Sequence, residues 1–217
     1  MQRTSIDKGT KTFGIGKRNM NNYQINMDEF YEHMKEGRIV EPDSAMGFAF
    51  HKFSQDALKI TTELNNKYHT PEKIVEIFSE LTGKDVDKSF RLFPPFYTDC
   101  GKNITIGKNV FINSCCKFQD QGGITIGDGC LIGHNVIITT LNHVEEPSQR
   151  QSILPKSVTI GKNVWIGANV TIVPGVIIGD NAIIGAGSVV VKDIPANAVA
   201  VGNPCKVKKH IKETINV

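Results

Sequence analysis

No stretch of this chain approaches the roughly eighteen consecutive apolar residues that a membrane-spanning helix needs. The first 25 residues are polar and basic and have neither an apolar core nor a cleavage-like site, so a secretory leader is not expected. The five cysteines, Cys100, Cys115, Cys116, Cys130 and Cys205, are odd in number and never spaced C-x-x-C. That excludes a disulfide framework and a zinc ribbon and fits a reducing, cytoplasmic setting. Excess charge is also scarce. Of a net +3 over 217 residues, Arg3, Lys8, Lys11, Lys17 and Arg18 against Asp7 place +4 in residues 1–26, leaving the rest at −1. A nucleic-acid binder carries its basic face on its folded part, so residues 1–26 are expected to be a disordered basic tail and no nucleic-acid partner is expected.

What the chain does have is two periods. Over 27–95 the apolar spacing is helical. Asn26 and Glu29 form a capping box before a short helix ending at Gly37. Met46, Phe50, Phe53, Ala57, Ile60 and Leu64 make one stripe over 44–66. Thr70-Pro71-Glu72 opens a third helix whose Ile74, Ile77, Phe78 and Leu81 face inward and which Gly83 stops.

After Pro95 a six-residue period takes over. Ile160, Ile166, Ile172, Ile178, Ile184 and Val190 stand six apart, and Val164, Val170, Val176, Ala182, Ser188 and Ile194 follow each by four. Upstream, Ile106, Ile112 and Phe118, then Ile126, Ile132 and Ile138, fit the same template. Two extra residues lie between Phe118 and Ile126, and sixteen between Ile138 and Ile160. A strict six-residue repeat is the mark of a solenoid. Each hexad makes one side of a triangular coil, its aliphatic residue points inward, and three hexads close a turn. Corners favour positive φ, which suits the recurring Asn109, Asn135, Asn163, Asn169 and Asn181. Cys116 and Cys130 fall at the small inward position as core filler; Cys115, beside a corner, is open to either reading.

Ile160–Val170, Pro174–Asn181 and Ile184–Pro195 resemble the hexapeptide-repeat acyltransferases. Pro95-Phe96-Tyr97 with Asp99-x-Gly101, the Leu141-Asn142-His143-Val144 loop, the Asn203-Pro204-Cys205-Lys206 exit and the helical N-terminal segment narrow this to the maltose/galactoside O-acetyltransferase group over about 27–212. The resemblance implies a left-handed parallel β-helix (an all-β domain over 96–201 behind the helical segment, with a loop insertion at about 139–157 and a C-terminal basic tail over 202–217). It also implies a homotrimer with active sites between subunits, and acetyl transfer from acetyl-CoA to a hydroxyl without a metal.

That chemistry needs a base for the acceptor hydroxyl, and an imidazole titrates in the right range. Of six histidines, His143 opens the sixteen-residue insertion, which in a compact solenoid points to function, and the resemblance places the catalytic histidine in the same segment; His134 reads as a solvent-facing corner. By resemblance the oxyanion donor is the backbone amide at Ala168, where relatives often carry serine. Donor contacts fall on Trp165, Ala168, Ala186, Lys192, Lys206 and Lys209, the last two replacing arginines and so losing bidentate phosphate geometry. Acceptor contacts fall on Asn113, Asp99, Asp120 and Gln121, and on Asp43 after the first helix. For Asn113 and Asp120 a corner role at positive φ competes.

Three other functions share this fold. A xenobiotic O-acetyltransferase would use the same machinery, although its loop would be longer or richer in aromatics. A zinc hydratase needs three histidines on adjacent coils, and the repeat proper supplies His134 and His143 alone. An ice-binding β-helix would show a regular threonine ladder, which the hexads do not display, and a structural β-helix subunit would not need the inserted histidine loop.

Overall fold

A computed structural model describes residues 25–211. The expected disorder of the basic tail falls outside this span, except that Ile25 and Asn26 belong to the fold. Asn26 caps helix α1 (Met27–Lys35) with both halves of the capping box formed. Helix α2 (Ala45–Asn66) starts at the side chain of Ser44. Helix α3 (Pro71–Thr82) starts at Thr70 and ends at Gly83 with φ 68°. Helix α1 stops at Lys35, two residues before Gly37, whose φ of 66° turns the chain away.

The remainder is a three-faced parallel β-helix. Face A has seven strands, from Arg91–Leu92 through Phe111–Ile112, Leu131–Ile132, Trp165–Ile166, Ile183–Ile184 and Ala198–Val201 to Lys206–His210. Face B has five, Phe96–Thr98, Cys116–Gln119, Ile137–Thr139, Thr171–Ile172 and Val189–Val190, and face C has four, Ile104–Ile106, Ile124–Ile126, Val158–Ile160 and Ile177–Ile178. Register stacks like residue on like: Ile112, Ile132, Ile166 and Ile184 on face A, and Phe118, Ile138, Ile172 and Val190 on face B. All of these are buried, as are Val164, Val170, Val176, Ala182, Ser188 and Ile194. Burying each large aliphatic side chain contributes about 1.5–3 kcal/mol, so the ladders supply most of the driving force. The open end of the prism is closed by α2 and α3. Phe78 packs on Phe90 and Phe96, at 4.6 and 5.5 Å between ring centres, and Phe96 on Phe118 at 5.0 Å.

The corners behave as the asparagines foretold. Asn109, Asn135, Asn163, Asn169 and Asn181 all have φ between 54° and 60°. Cys115 stands at the equivalent hexad position with φ 67°, which resolves its ambiguity: it is a corner residue held in a conformation that suits Gly or Asn. Cys116 and Cys130 are fully buried, their thiols donating to Gly133 O and Gly161 O.

Two boundaries move. The solenoid begins at Arg91–Leu92, paired in parallel with Phe111–Ile112, rather than at residue 96. Within the expected C-terminal tail, Lys206–His210 form a strand antiparallel to Ala198–Val201, and residues 212–217 lie outside the described span. A short threonine column also exists after all. Thr105, Thr125 and Thr159 lie side by side on face C, ending at Ile177. The two insertions shift these residues off the eighteen-residue spacing, which hid them. A single file of three is no ice-binding lattice, and Lys84 Nζ already donates to Thr105 Oγ1 at 3.0 Å.

Because an L-residue in the left-handed region costs about 1–2 kcal/mol more than one suited to it, Cys115→Asn should raise stability by roughly 0.5–1 kcal/mol. Thermal unfolding checks this; an unchanged or lower midpoint would show that the corner tolerates cysteine without strain.

Candidate functional site

The sixteen-residue insertion leaves the solenoid at the B/C corner, and its base is a hairpin. Leu141–His143 runs antiparallel to Ile153–Pro155, with His143 opposite Ile153. On its other side Ile153 bridges Val40, with N–O distances of 2.9 Å in both directions. Leu141 and Ile153 pack into a second apolar cluster with Phe30, Met34, Val40, Ala49, Phe53 and Cys100. The hairpin is therefore clamped to the helical segment, and His143, at its outer end, is exposed. Asp43 occupies the exposed turn between Val40 and the N-cap Ser44, so the same three-stranded ribbon joins it to His143.

The B/C corner also holds Asp99, Asp120 and Gln121. Neither Asp120 nor Asn113 has positive φ, so the corner explanation for them does not apply. Asp120 is fully buried and organises the turn of the preceding coil. Its carboxylate accepts from Thr98 Oγ1 at 2.7 Å, Cys100 N at 2.8 Å and Asn103 N at 3.2 Å. Burial pushes its pKa up against these donors. Asp99 reaches solvent, yet the protein packed around its carboxyl and then the nearby Asp120 raise its pKa too, while Gln121 and Gln119 draw it back. Gln121 is buried, and neither its Oε1 nor its Nε2 has an acceptor or donor at bonding distance; Asn103 Oδ1 shares that condition. Cys100, beside Asp120, is pushed to about 12 by burial first and by that carboxylate second, so it carries no thiolate at neutral pH. Lys192 lies at the top of this corner column, exposed.

The remaining predicted residues gather elsewhere. Asn113, Ala168 and Ala186 stack on the A/B corner, with exposed His134 between them as expected. A Cβ on Gly133 would lie 2.7 Å from Ala168 N, and one on Gly167 2.6 Å from Ala186 N, so these turns pack backbone on backbone. At the C/A corner the equivalent amides are capped: Lys108 N donates to Asp128 Oδ1 at 2.8 Å and Lys162 N to Asp180 Oδ1 at 2.7 Å. The A/B corner has no such aspartate. Among the described residues, Ala168 N–H donates to no protein acceptor.

Beside that corner, Trp165 projects from face A, 54% exposed. Its register neighbours lead through Ile183 and Val199 to Lys209, and Lys206 lies opposite Val201. Phe111 and Leu131 continue the outward column below Trp165, and Phe93 meets Phe111 edge-on at 5.1 Å. Hexad reading passed over these apolar neighbours, although each immediately precedes an inward aliphatic residue or sits one coil below. Thus His143, Asp99, Asp120, Gln121, Asp43 and Lys192 belong to one corner of the prism, and Asn113, Ala168, Ala186, Trp165, Lys206 and Lys209 to another. Among the described residues no group of three His, Cys, Asp or Glu side chains is placed to hold a metal ion.

A family model described as bacterial transferase hexapeptide (six repeats) matches residues 157–192, and one described as hexapeptide repeat of succinyl-transferase matches 103–140. The chain is 38% identical to a galactoside O-acetyltransferase of Lactococcus lactis over 167 residues, 75% of this chain and 80% of that one. In three dimensions it is similar to a maltose O-acetyltransferase from Clostridium difficile 630, with TM-score 0.77, 40% identity and coverage of 84% and 97%. It is also similar to a hexapeptide-repeat acetyltransferase of Vibrio cholerae complexed with acetyl coenzyme A, with TM-score 0.71, 30% identity and coverage of 85% and 99%.

The buried Asp120 has a consequence for pH. Its raised pKa means the folded state keeps a proton that the unfolded chain releases near pH 4. The stability it contributes is complete below that value and is lost as pH rises through the folded one. In urea unfolding from about pH 4 to 7, Asp120→Asn should therefore lose less stability than the wild type. Parallel curves would show that Asp120 is ionised in both states.

Proposed function

The chain belongs to the hexapeptide-repeat acetyltransferases, and on that premise we propose that it carries the acetyl group of acetyl-CoA to a hydroxyl of a sugar or related small acceptor, with His143 as the general base. The observation that carries this reading is the longer of the two breaks in the solenoid wall, which carries an exposed imidazole on a ribbon pinned to the helical segment. A hydroxyl is a weak nucleophile at neutral pH, so its proton must leave as it attacks the thioester carbonyl. The imidazole takes that proton and can return it to the departing CoA thiolate. Ala168 N–H, fixed in advance and without a protein acceptor, is suited to the oxyanion that forms. Alanine here keeps the amide and offers no hydroxyl.

Acetyl-CoA fits the A/B side as substrate. Trp165 walls the channel and Ala186 leaves room beside the thioester arm. From Trp165 to Lys209 is three strand spacings, about 14 Å, a span suited to a pantetheine arm ending at phosphates held by Lys206 and Lys209. Lys192, on the other corner column, would meet the donor from a neighbouring chain. Asp43, Asp99, Gln121 and Asn113 offer polar groups to acceptor hydroxyls, while Asp120 serves them by fixing the Thr98–Asn103 turn. No helix among the described residues is long and apolar enough to cross a membrane.

The separation of the two residue groups argues for shared sites. One side of the prism is at most about 20 Å long, its interior is filled by aliphatic side chains, and reacting atoms must come within about 3.5 Å. A neighbouring subunit that sets its A/B corner against the B/C corner of the first would bring the groups together, as in the homotrimer that the family resemblance implies.

His143→Ala should lower kcat by about a hundredfold or more while CoA binding and the unfolding midpoint persist; normal turnover with a sugar panel would remove the mechanism. If sites are shared, co-refolding inactive His143→Ala with inactive Asn113→Ala should restore activity at about one quarter of the sites. No recovery in mixed trimers would place the whole site within one chain.

A further inference from the structure

The C-terminal strand has a register fault. Lys206 pairs with Val201 and Val207 with Ala200, but Val199 pairs with Lys209 and Ala198 with His210, the shift falling between Val199 and Ala200. Lys208 is the residue passed over. This is a β-bulge, in which two residues of one strand oppose one of the other. In a regular strand residues three apart face opposite sides, so Lys206 and Lys209 would be divided between the two faces. With the bulge, both lie opposite the outward Val201 and Val199, whereas Val207 lies opposite the buried Ala200. Lys208 shares the position opposite Val199 with Lys209.

The backbone register thereby sets three lysines at one end of the Trp165 row. Among the described residues none of the three makes a hydrogen bond or ion pair, whereas Lys35, Lys59, Lys67, Lys73 and Lys162 are each within 4.0 Å of a carboxylate. Three like charges held together on an edge strand repel each other, and an anion with several oxygens relieves that repulsion. A phosphate group meets the requirement, because each lysine supplies a point charge and none a bidentate fork.

We infer that Lys208, placed beside Lys209 by the β-bulge, is a third phosphate-binding residue for the CoA donor. The inference rests on the donor reading of Lys206 and Lys209 and extends it to a residue whose place in a regular strand would give no reason to include it. Three lysines at one point also offset the absence of arginine there.

The test measures CoA and pantetheine affinity by calorimetry for Lys206→Ala, Lys208→Ala, Lys209→Ala and a Lys208 deletion. Lys208→Ala should weaken CoA binding about fivefold, the upper range for an exposed charge pair, with less effect at high salt. Pantetheine, which lacks phosphates, should bind it as it binds the wild type. Removing Lys208 outright closes the strand into regular pairing with Lys209 still opposite Val199, so the deletion should match Lys208→Ala and not add a second loss. The inference is overturned if Lys208→Ala binds CoA normally while Lys209→Ala is weakened, or if a folded deletion loses far more affinity than the point variant. Unchanged affinity in all three alanine variants would instead sink the donor reading itself. Should the deletion fail to fold, the point variants alone decide.

Discussion

The structure depends on one constraint: coils must stack closely enough for their backbones to pair while their inward side chains fill a narrow triangular interior. Strands in hydrogen-bonded register lie about 4.8 Å apart, and at each corner the chain must turn without opening that spacing. Residues able to adopt positive φ, and glycines without a Cβ, are what permit it. Adding a Cβ at Gly133, Gly167 or Gly179 would drive it within 2.4 to 2.7 Å of a backbone nitrogen one coil away. The corners are bare because anything larger would separate the coils.

Bare corners give the site its chemistry. Where the next coil supplies an aspartate, as Asp128 and Asp180 do, the exposed corner amides are satisfied and the corner is inert. Where it supplies only Gly and Ala, as around Ala168, the amide is left with no protein acceptor. The difference between a structural corner and one that can hold an oxyanion is therefore one side chain in the adjacent turn. The position of His143 follows a different logic. A regular hexad has no room for a long polar arm, so the chain leaves the wall altogether and the helical segment supplies a second surface, through Val40 and the Phe30–Phe53 cluster, on which the detour is held.

The polar cluster under that detour shows how much the insertion costs and how the cost is met. Two extra residues at 120–123 bring a carboxylate into the interior, where Thr98 and two backbone amides receive it. Burial still raises its pKa, and Gln121 and Asn103 retain polar atoms without close partners. A wall of plain hexads would be free of such strain; this corner departs from the regular pattern just where the proposed acceptor would bind.

The repeat, the helix starts and stops, the inward ladders and the positive-φ asparagines were all legible in the chain, since each follows from local sterics or from a period that one residue's neighbours reveal. His143 stood out because it broke that period. Other features were invisible for a physical reason. The threonine column was masked by insertions that change spacing along the chain but not position in the stack. The bulge at Lys208 depends on pairing with a strand that the lysines themselves do not specify. The division of the candidate residues between two corners arises from where each coil turns relative to the others, and nothing within a hexad records which of three corners it forms. Local preference determined that this chain would coil; only the closing of those coils on one another decided which side chains would share an edge, because an edge is made by the stacking of coils and not by any one of them.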